Sequence, residues 1–532
     1  MTGWSAPSAS PAGGEEVLAL EGISKRFGSL LANDQIRLTL RAGQVLALLG
    51  ENGAGKTTLM NILFGHYRAD QGTIRVMGQP LVAGSPAAAI AAGIGMVHQR
   101  FALAENLSVL DNIVVGTQPL WRPWLQKRQA LHKLQTLANS FGLAVDPQAR
   151  VGDLTVGEQQ RVEILKVLYR DARLLILDEP TAVLTPQETH QLFTTLRRLT
   201  AEGLSIILIS HKLQEVMQVS DRIVVLRAGR VVADVDTSST TPEQLAGWMV
   251  GQQVPPLVKL PLVAGDPVLQ LKQVTAQGSS PQPIQDLSLT LYRSQIVGIA
   301  GVAGNGQTTL ANLLCGLIPP LAGEFCLWGR VVSWPSPRGM VQEGMARIPE
   351  DRHQMGVMGS LSIEENLLAE RYWHPTFSRW GFRRSKRIRE QALAWMQQYD
   401  VRCPQADGSK ALHLPIQLLS GGNMQKVILA RGLAENPPII VAHQPTRGLD
   451  LGAVAYVHQQ LLAAREAGAA ILLISEDLDE LLRLADRIGV MVRGRLSPPV
   501  PVAQTSVQEL GLRMAGQPER VTSVAGGGGN AD

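Results

Sequence analysis

A glycine-rich stretch, Gly50 to Thr58, constrains the fold of this chain more than any other feature. It follows an apolar run, Gln44 to Leu49, that predicts a strand, and it leads into an apolar-periodic segment, Leu59 to Phe64, that predicts a helix. The spacing G-x-x-x-x-G-K-T lets backbone N–H groups turn toward phosphates, while Lys56 supplies a positive charge and Thr57 a hydroxyl ligand for Mg²⁺. The sequence therefore predicts a phosphate-binding loop rather than an ordinary glycine-rich turn.

The chain repeats this loop. Gly301 to Leu310 copies it after a second strand-like run, and Gln307 stands 251 positions after Lys56. Two further pairs of matching segments are displaced by 265 positions: Leu154 to Arg161 with Leu419 to Lys426, and Leu174 to Thr181 with Ile439 to Thr446. Self-similarity at a fixed displacement indicates two copies of one domain.

The length and the composition shifts suggest where these copies begin and end. A chain of 532 residues is too long for one hydrophobic core. We expect a first domain over residues 16–250, a proline-rich linker over 251–267 and a second domain over 268–515. Residues 1–15 and 516–532 have the composition of disordered segments.

Charge and cysteine usage exclude few classes of partner. The net charge is +4 and the sequence pI is about 9.0, with one basic cluster from Arg379 to Arg389. A solvated helix face is the favoured interpretation of that cluster, with an anionic membrane surface or nucleic acid as alternatives. The three cysteines, Cys315, Cys326 and Cys403, form no CxxC pair, so neither a disulfide framework nor a zinc site is indicated.

No stretch of the sequence predicts export or membrane insertion. There is no run of about 18 apolar residues, and the segment from Met1 to Gly14 lacks a basic region followed by an apolar one. We therefore expect any membrane role to come through a partner.

The order of the motifs resembles the ATP-binding cassette (ABC) family over Val17 to Gly516. A phosphate loop is followed by an L-S-G-G-x-x-Q motif and by an apolar strand that ends in Asp-Glu-Pro, and the set occurs twice. Three segments have sequences that resemble the corresponding motifs in the ATPase subunits of bacterial importers for simple sugars and nucleosides, with the nucleoside branch closest. These segments are Leu154 to Ile164, Asp178 to Thr185 and Gln444 to Asp450. The implied fold class is α/β: two tandem P-loop NTPase cassettes, each with a mixed or parallel β core and an α-helical subdomain.

The resemblance also implies two composite ATP sites, each shared between the phosphate loop of one domain and the signature motif of the other. At the first site Asp178 would hold Mg²⁺ through water and Glu179 would polarise the attacking water. Gln99 would contact Mg²⁺ or its water, and His211 would bond the γ-phosphate. The implied metal ligands are thus Thr57, Gln99 and Asp178.

Phe27 lies where the family stacks an aromatic ring on adenine, although core packing is an open alternative. Asp450 matches a loop that crosses the domain interface, although an ordinary helix N-cap is an open alternative. The implied ATP-binding residues are Gly50, Glu51, Asn52, Gly53, Ala54, Gly55, Lys56, Thr57, Thr58 and Phe27 from the first domain, and Ser420, Gly421, Gly422, Gln425 and Asp450 from the second.

The second site departs from the family pattern at several positions. Gln307 replaces the lysine, which removes a charge-assisted contact of roughly 1.5–3 kcal/mol. His443 and Gln444 replace the Asp-Glu pair, and Glu476 replaces the histidine. The substitutions Gly278 for Phe27, Val156 for a signature glycine and Thr185 for Asp450 affect the same site. We therefore expect one hydrolytic site and one structural or regulatory site.

The resemblance implies an ATPase subunit of an importer, with ATP and Mg²⁺ as cofactors. Its partners would be two transmembrane permeases and a substrate-binding protein, with no direct nucleic-acid partner, and the chain would lie peripherally on the cytoplasmic face of the inner membrane. Leu107 to Val151 and Leu361 to Leu418 would be the helical subdomains that receive the permeases. The competing hypotheses are a soluble tandem cassette acting on the ribosome or DNA, and a non-hydrolysing ATP-binding scaffold. Cargo identity, nucleoside or simple sugar, is left open.

Overall fold

The computed structural model describes residues 15–28, 30–98, 101–117, 127–181, 184, 186–210, 212–251, 257–278, 282–332, 336–403 and 408–514. Three of the functional residues considered above, Gln99, Thr185 and His211, lie outside these ranges. The chain divides into two compact units between residues 255 and 256, inside the segment predicted as a linker. We call residues 1–255 unit one and residues 256–532 unit two.

Two sheets and a set of helices form the described part of unit one. Its strands are β1 (Glu16–Phe27), β2 (Leu30–Arg41), β3 (Val45–Gly50), β4 (Gln71–Val76), β5 (Gln79–Pro80), β6 (Ile94–Val97), β7 (Leu174–Asp178), β8 (Ser205–Ile209), β9 (Arg222–Arg227) and β10 (Arg230–Asp236). Its helices are α1 (Lys56–Leu63), α2 (Pro86–Ala91), α3 (Val109–Val114), α4 (Lys127–Phe141), α5 (Val156–Tyr169), α6 (Pro186–Ala201), α7 (Leu213–Val219) and α8 (Pro242–Val250), with 3₁₀ turns at Val151–Asp153 and Thr237–Ser239.

The described part of unit two repeats this plan with additions. Its strands are β11 (Pro267–Ala276), β12 (Ile284–Tyr292), β13 (Ile296–Ala300), β14 (Ala322–Leu327), β15 (Arg330–Val331), β16 (Met345–Ile348), β17 (Ser378–Arg379), β18 (Phe382–Arg383), β19 (Ile439–His443), β20 (Ala470–Ser475), β21 (Arg487–Val492), β22 (Arg495–Leu496) and β23 (Val500–Pro501). Its helices are α9 (Gln307–Leu314), α10 (Pro337–Gln342), α11 (Ile363–Leu368), α12 (Ser385–Gln398), α13 (Ser409–Leu412), α14 (Gly421–Leu433), α15 (Leu451–Glu466), α16 (Leu478–Leu484) and α17 (Val507–Met514), with a π turn at Arg352–Gly356 and 3₁₀ turns at Ile416–Leu418 and Val502–Gln504.

A largely parallel sheet forms the core of each unit. In unit one the strand order is β10-β9-β3-β8-β7-β6, and only β10 runs antiparallel to its neighbour. Unit two repeats the parallel set in the order β16-β19-β20-β13-β21. All residues of β3 and β8 are buried, as expected of parallel strands covered on both faces. The α/β fold class predicted from the sequence is confirmed.

The strand order determines where the functional side chains lie. The phosphate loop follows β3 and the Asp178-Glu179 pair ends β7, with β8 between these two strands. Because the carboxyl ends of parallel strands meet at one edge of a sheet, loops from distant parts of the chain converge there. Unit two repeats this convergence at the ends of β13, β19 and β20.

A smaller antiparallel sheet accompanies each core, with strand orders β2-β1-β4-β5 and β12-β11-β14-β15. Helices α3 and α4 in unit one, and α11 to α13 in unit two, occupy the segments predicted as helical subdomains. No helix within the described ranges is long and apolar enough to span a bilayer. None of the three cysteines, all within the described ranges, forms a disulfide, and burial raises the pKa of the Cys315 thiol to about 12.

The basic cluster from Arg379 to Arg389 is only partly helical, which corrects the interpretation of a single helix face. Its first part forms the hairpin of β17 and β18, whose tip carries Trp380 with a left-handed φ of 56°. Trp380 and Phe382 are 88% and 79% exposed. The rest of the cluster begins helix α12.

The end of the predicted linker packs on unit two through charged groups. Arg465 is 1% exposed and donates two hydrogen bonds of 2.9 Å to the Asp486 carboxylate. The same guanidinium donates to the carbonyl of Leu260, and Lys259 lies 3.0 Å from Asp486. Asp486 also accepts from the Ile296 N–H at the start of β13. Residues 259 and 260 are therefore attached to the core sheet of unit two.

We predict that Arg465→Met destabilises the protein by about 3 kcal/mol, because removal of one partner leaves a partly buried carboxylate underpaired. Arg197→Met is the matched control in unit one, where Arg197 pairs with Asp221 at an exposed position. An exposed pair contributes about 0–1 kcal/mol, so this control should change little. Differential scanning calorimetry of the full chain measures both variants, and equal effects would contradict the prediction.

Candidate nucleotide-binding sites

The first phosphate loop depends on glycine where it passes close to β2. Gly55 has φ 100°, and a Cβ added there would lie 2.3 Å from the carbonyl oxygen of Ala32. The side-chain amide of Asn33 donates a 3.1 Å hydrogen bond to the Gly55 carbonyl. Asn33 is fully buried and supports the loop from behind, a role that the sequence motif does not reveal.

The side chain of Lys56 crosses its own phosphate loop. Its ammonium group donates to the carbonyl oxygens of Gly50 at 2.6 Å and Glu51 at 3.0 Å. Burial lowers the pKa of Lys56, and the nearby carboxylates, chiefly Glu179 and Asp178, oppose that shift. Asn52 is exposed beside this buried cation. The loop thus presents open backbone next to a positive charge, as phosphate binding requires.

Asp178 and Glu179 lie at the end of β7, where the backbone turns sharply. Glu179 has a left-handed φ of 47°, and its N–H donates to the carbonyl of Ile209 at 2.9 Å. A non-glycine residue in this region is strained, and such strain occurs often at functional sites. Burial and the Glu179 carboxylate raise the pKa of Asp178, an effect that Lys56 partly offsets.

The residues present fit a bound divalent cation. Asp178 and Glu179 form a carboxylate pair whose mutual repulsion raises the pKa of Asp178, and a cation would relieve this repulsion. Thr57 is exposed at the start of α1 and offers a hydroxyl oxygen. No cluster of three His, Cys, Asp or Glu side chains that could hold a metal occurs within the described ranges. A carboxylate pair beside a hydroxyl suits Mg²⁺, which keeps several waters and takes few protein ligands.

Phe27 lies at the surface of unit one. Its ring is 42% exposed and packs edge-on against Tyr67, with centroids 5.4 Å apart. The core-packing alternative is therefore wrong, while stacking on adenine stays a prediction. Tyr67, which the sequence did not single out, belongs to the same exposed aromatic pair.

Unit two places the residues expected to complete the first site at two helix N-termini. Ser420 caps α14, where its Oγ accepts from the backbone N–H of Asn423 at 3.4 Å. Gly421 and Gly422 begin that helix and are partly accessible. Asp450 caps α15 by accepting from the Ala453 N–H at 2.8 Å, which is the N-cap alternative considered above. Contacts of these residues with a nucleotide stay predictions.

Gln425 is placed differently from its expected role. It is buried, and its side-chain amide donates to the Pro445 carbonyl at 2.9 Å. In unit one Gln160 makes the same bond to Pro180 at 2.8 Å. A repeated interior bond of this kind ties the signature helix to the strand-end turn. This placement gives no support to the expectation that Gln425 binds ATP.

The second phosphate loop keeps its shape although it has lost its charge. Gln307 is buried, and its amide donates to the Val302 carbonyl at 2.9 Å, as Lys56 does to Glu51. Gln444 has φ 49° and donates its N–H to the Ile474 carbonyl at 2.8 Å, as Glu179 does to Ile209. The backbone of the first site is therefore repeated in unit two, while the Lys56, Asp178 and Glu179 side chains are replaced there.

An ion pair and a buried histidine occupy the strand ends at the second site. His443 is buried where Asp178 stands in unit one, and burial lowers its pKa. Its Nε2 lies 3.6 Å from the Glu350 carboxylate, which also pairs with the guanidinium of Arg447. The sequence did not predict the pairing of Glu350 with Arg447, since it joins residues 97 positions apart.

Comparison with known proteins identifies the family. The model of the family described as "ABC transporter" matches residues 33–182 and 284–447, once in each unit. The chain belongs to the ABC transporter family. The motif order in the sequence is thereby confirmed as two ABC cassettes.

Three relatives match nearly the whole ABC chain. The nucleoside import ATP-binding protein NupA of Lactococcus lactis subsp. cremoris is 41% identical over 94% of this chain and 98% of its own length. The guanosine import ATP-binding protein NupO of Bacillus subtilis is 41% identical over 96% and 100%. The glucose import ATP-binding protein TsgD13 of Haloferax volcanii is 42% identical over 94% and 96%.

We predict that Glu179→Gln lowers ATP turnover by about 10²–10⁴, because an amide cannot act as a general base. ATP binding should persist, since the phosphate loop is unchanged. Phosphate release and equilibrium ATP binding by the purified ABC chain measure the two effects. Gln444→Ala is the matched control in unit two and should change turnover little. A large loss from that control would contradict the assignment of hydrolysis to the first site.

We predict that Phe27→Ala weakens ATP binding by about 0.5–1.5 kcal/mol, roughly two- to thirteenfold, through lost stacking on the base. Inorganic tripolyphosphate, which has no base, should bind the variant and the parent chain equally. Titration calorimetry with both ligands tests this. Leu30→Ala, which removes an exposed side chain opposite Phe27, is the control. Equal losses for ATP and tripolyphosphate would refute the stacking role.

Proposed function

We propose that this chain is the ATP-hydrolysing subunit of an ABC importer for a nucleoside, with hydrolysis confined to the first site. One observation carries the proposal: unit one combines Lys56, Asp178 and Glu179 at one sheet edge, whereas unit two keeps the backbone and replaces all three side chains. A general base and a phosphate-binding cation are thus available in one unit.

The chemistry follows from the positions of these residues. Lys56 and the loop N–H groups hold the phosphates, and Glu179 orients and deprotonates the attacking water. Bound Mg²⁺ would neutralise phosphate charge, with Thr57, Asp178 and Gln99 as its candidate ligands. His211 would bond the terminal phosphate, while Ser420, Gly421 and Gly422 would complete the site from the second domain.

The importer requires partners that this chain does not contain. We propose two transmembrane permeases and a substrate-binding protein, with the chain held peripherally on the cytoplasmic face of the inner membrane. ATP binding would favour the state in which the two domains are closed, and hydrolysis would return them to the open state. The permeases would change their access with that equilibrium.

The cargo proposal rests on the names of the relatives. Two of the three name a nucleoside or guanosine, and the third names glucose. The import names favour this function over the alternative of a soluble tandem cassette acting on the ribosome or DNA. A simple sugar is the competing cargo.

Reconstitution of the chain with its permeases and binding protein in proteoliposomes tests the proposal. We expect ATP-driven uptake of labelled guanosine and none of labelled glucose. Lys56→Ala should stop uptake, because ATP binding falls by roughly 1.5–3 kcal/mol. Gln307→Ala, the corresponding change in unit two, should leave most of the uptake intact. Glucose uptake alone would correct the cargo, and equal losses from both substitutions would overturn the single hydrolytic site.

A further inference from the structure

The basic cluster from Arg379 to Arg389 presents two aromatic side chains that neither nucleotide site uses. Trp380 and Phe382 are 88% and 79% exposed, and only Gly381 separates them in the chain. Together they make the tip of the β17-β18 hairpin apolar. Exposure of so much apolar surface to water opposes folding, so the tip gains free energy only by contact with something outside the chain.

The backbone at the tip is strained by the tryptophan. Arg379 pairs with Phe382, which leaves Trp380 and Gly381 as a two-residue loop with φ values of 56° and 83°. Positive φ at both central residues is typical of a type I′ turn, where Asn, Asp and Gly are the preferred residues. A bulky side chain in this region costs free energy. The indole is therefore held in water at a conformational cost, although a smaller residue would suit the turn better.

The base of the hairpin is fixed to the core of unit two. Phe377 is 3% exposed, and its ring centroid lies 6.3 Å from that of Trp395 on α12. The Arg384 N–H donates to the Phe377 carbonyl at 2.8 Å, and the Ser378 N–H donates to the His374 carbonyl at 2.9 Å. The apolar tip is thus presented on a base that packs in the core.

The cations around the tip greatly outnumber their carboxylate partners. The cluster contains six Arg and Lys residues, all exposed, and no acidic residue. Arg383 lies 3.8 Å from Glu365, and Arg387 lies 3.5 Å from Glu390. Within the described ranges no carboxylate forms an ion pair with the other four cations, which are Arg379, Arg384, Lys386 and Arg389. An excess of positive charge therefore surrounds the aromatic tip.

This combination matches the chemistry of an anionic bilayer surface. Tryptophan rings prefer the level of the lipid headgroups, and Arg and Lys are attracted to anionic headgroups. Single-stranded nucleic acid also contacts aromatic rings and cations, but it is bound along a groove in which successive bases stack. A two-residue turn offers its rings at one point only, so the observations favour the bilayer.

We propose that the basic cluster binds the surface of an anionic lipid bilayer directly, with Trp380 and Phe382 entering the headgroup region and the cations contacting lipid phosphates. This contact requires no permease. It goes beyond the import proposal and does not depend on it, because it adds a direct lipid contact to the membrane contacts expected through partners.

Co-sedimentation of the purified full chain with lipid vesicles tests the proposal. We expect binding to vesicles of mixed phosphatidylglycerol and phosphatidylcholine to be at least about tenfold tighter than binding to phosphatidylcholine alone. Trp380→Asn combined with Phe382→Ala should weaken binding to the mixed vesicles at least about tenfold. Leu30→Ala combined with Leu321→Ala removes two other apolar side chains, 65% and 67% exposed, and should change binding little. Equal losses from the two pairs would overturn the proposal.

A second set of variants tests the charges. Replacing Arg379, Arg384 and Lys386 together by Gln should weaken binding to the mixed vesicles at least about tenfold. The matched control replaces two arginines and one lysine at exposed positions on β15, β22 and β11, which are Arg330, Arg495 and Lys272. The control should retain most of the binding. Equal losses would show that only net charge matters and would overturn the assignment to the cluster.

Trp380→Asn alone separates membrane contact from a structural role. Asn suits the left-handed turn, so the melting temperature of the full chain should stay unchanged or rise while vesicle binding falls. A lower melting temperature with unchanged vesicle binding would overturn the proposal. Tighter binding of a labelled single-stranded RNA than of the mixed vesicles, lost in the same variants, would also overturn it and assign the cluster to nucleic acid. The vesicles contain no permease, so a failure of the import proposal would leave these readouts unaffected.

Discussion

A parallel core sheet is the constraint on which the rest of each unit depends. Buried strands such as β3 and β8 run in the same direction, so their carboxyl ends share one edge. That edge brings a glycine loop from one part of the chain next to Asp178 and Glu179, more than a hundred residues away. Neither the phosphate loop nor the carboxylates form a site alone. The strand order β9-β3-β8-β7 brings the loop and the carboxylates together into one site.

The two units have the same backbone geometry at the strand ends but differ in the charged side chains that they carry there. Glu179 and Gln444 have φ values of 47° and 49°, and each donates its N–H to the strand next to its own. Lys56 and Gln307 both close their loop through a carbonyl oxygen. Hydrogen bonds that need only a donor or an acceptor thus survive substitution. A general base and a cation do not, because an amide carries no charge. One fold can therefore keep the same backbone at both sites while the charged groups are present at only one of them.

Sequence reasoning succeeded where the signal was local and failed where it depended on distant contacts. The loop spacing and the repeat led directly to two ABC cassettes. The exposure of Phe27 could not be read from β1, because alternation along a strand does not tell which ends project beyond the sheet. The interior bond of Gln425 and the docking of Lys259 on Asp486 join segments 20 and 227 residues apart. Trp380 lies at the tip of a hairpin whose strands have two residues each, too short for a period to appear.

The sequence by itself determined the fold class, the family and the loss of charged groups at the second site, since each of these follows from residue identity and spacing. Only the tertiary structure decided what replaced them. Glu350 pairs with Arg447 at the strand ends, and the buried His443 lies 3.6 Å from the same carboxylate. These contacts arise because parallel strands from separate stretches end side by side, and spacing along the chain does not encode that proximity.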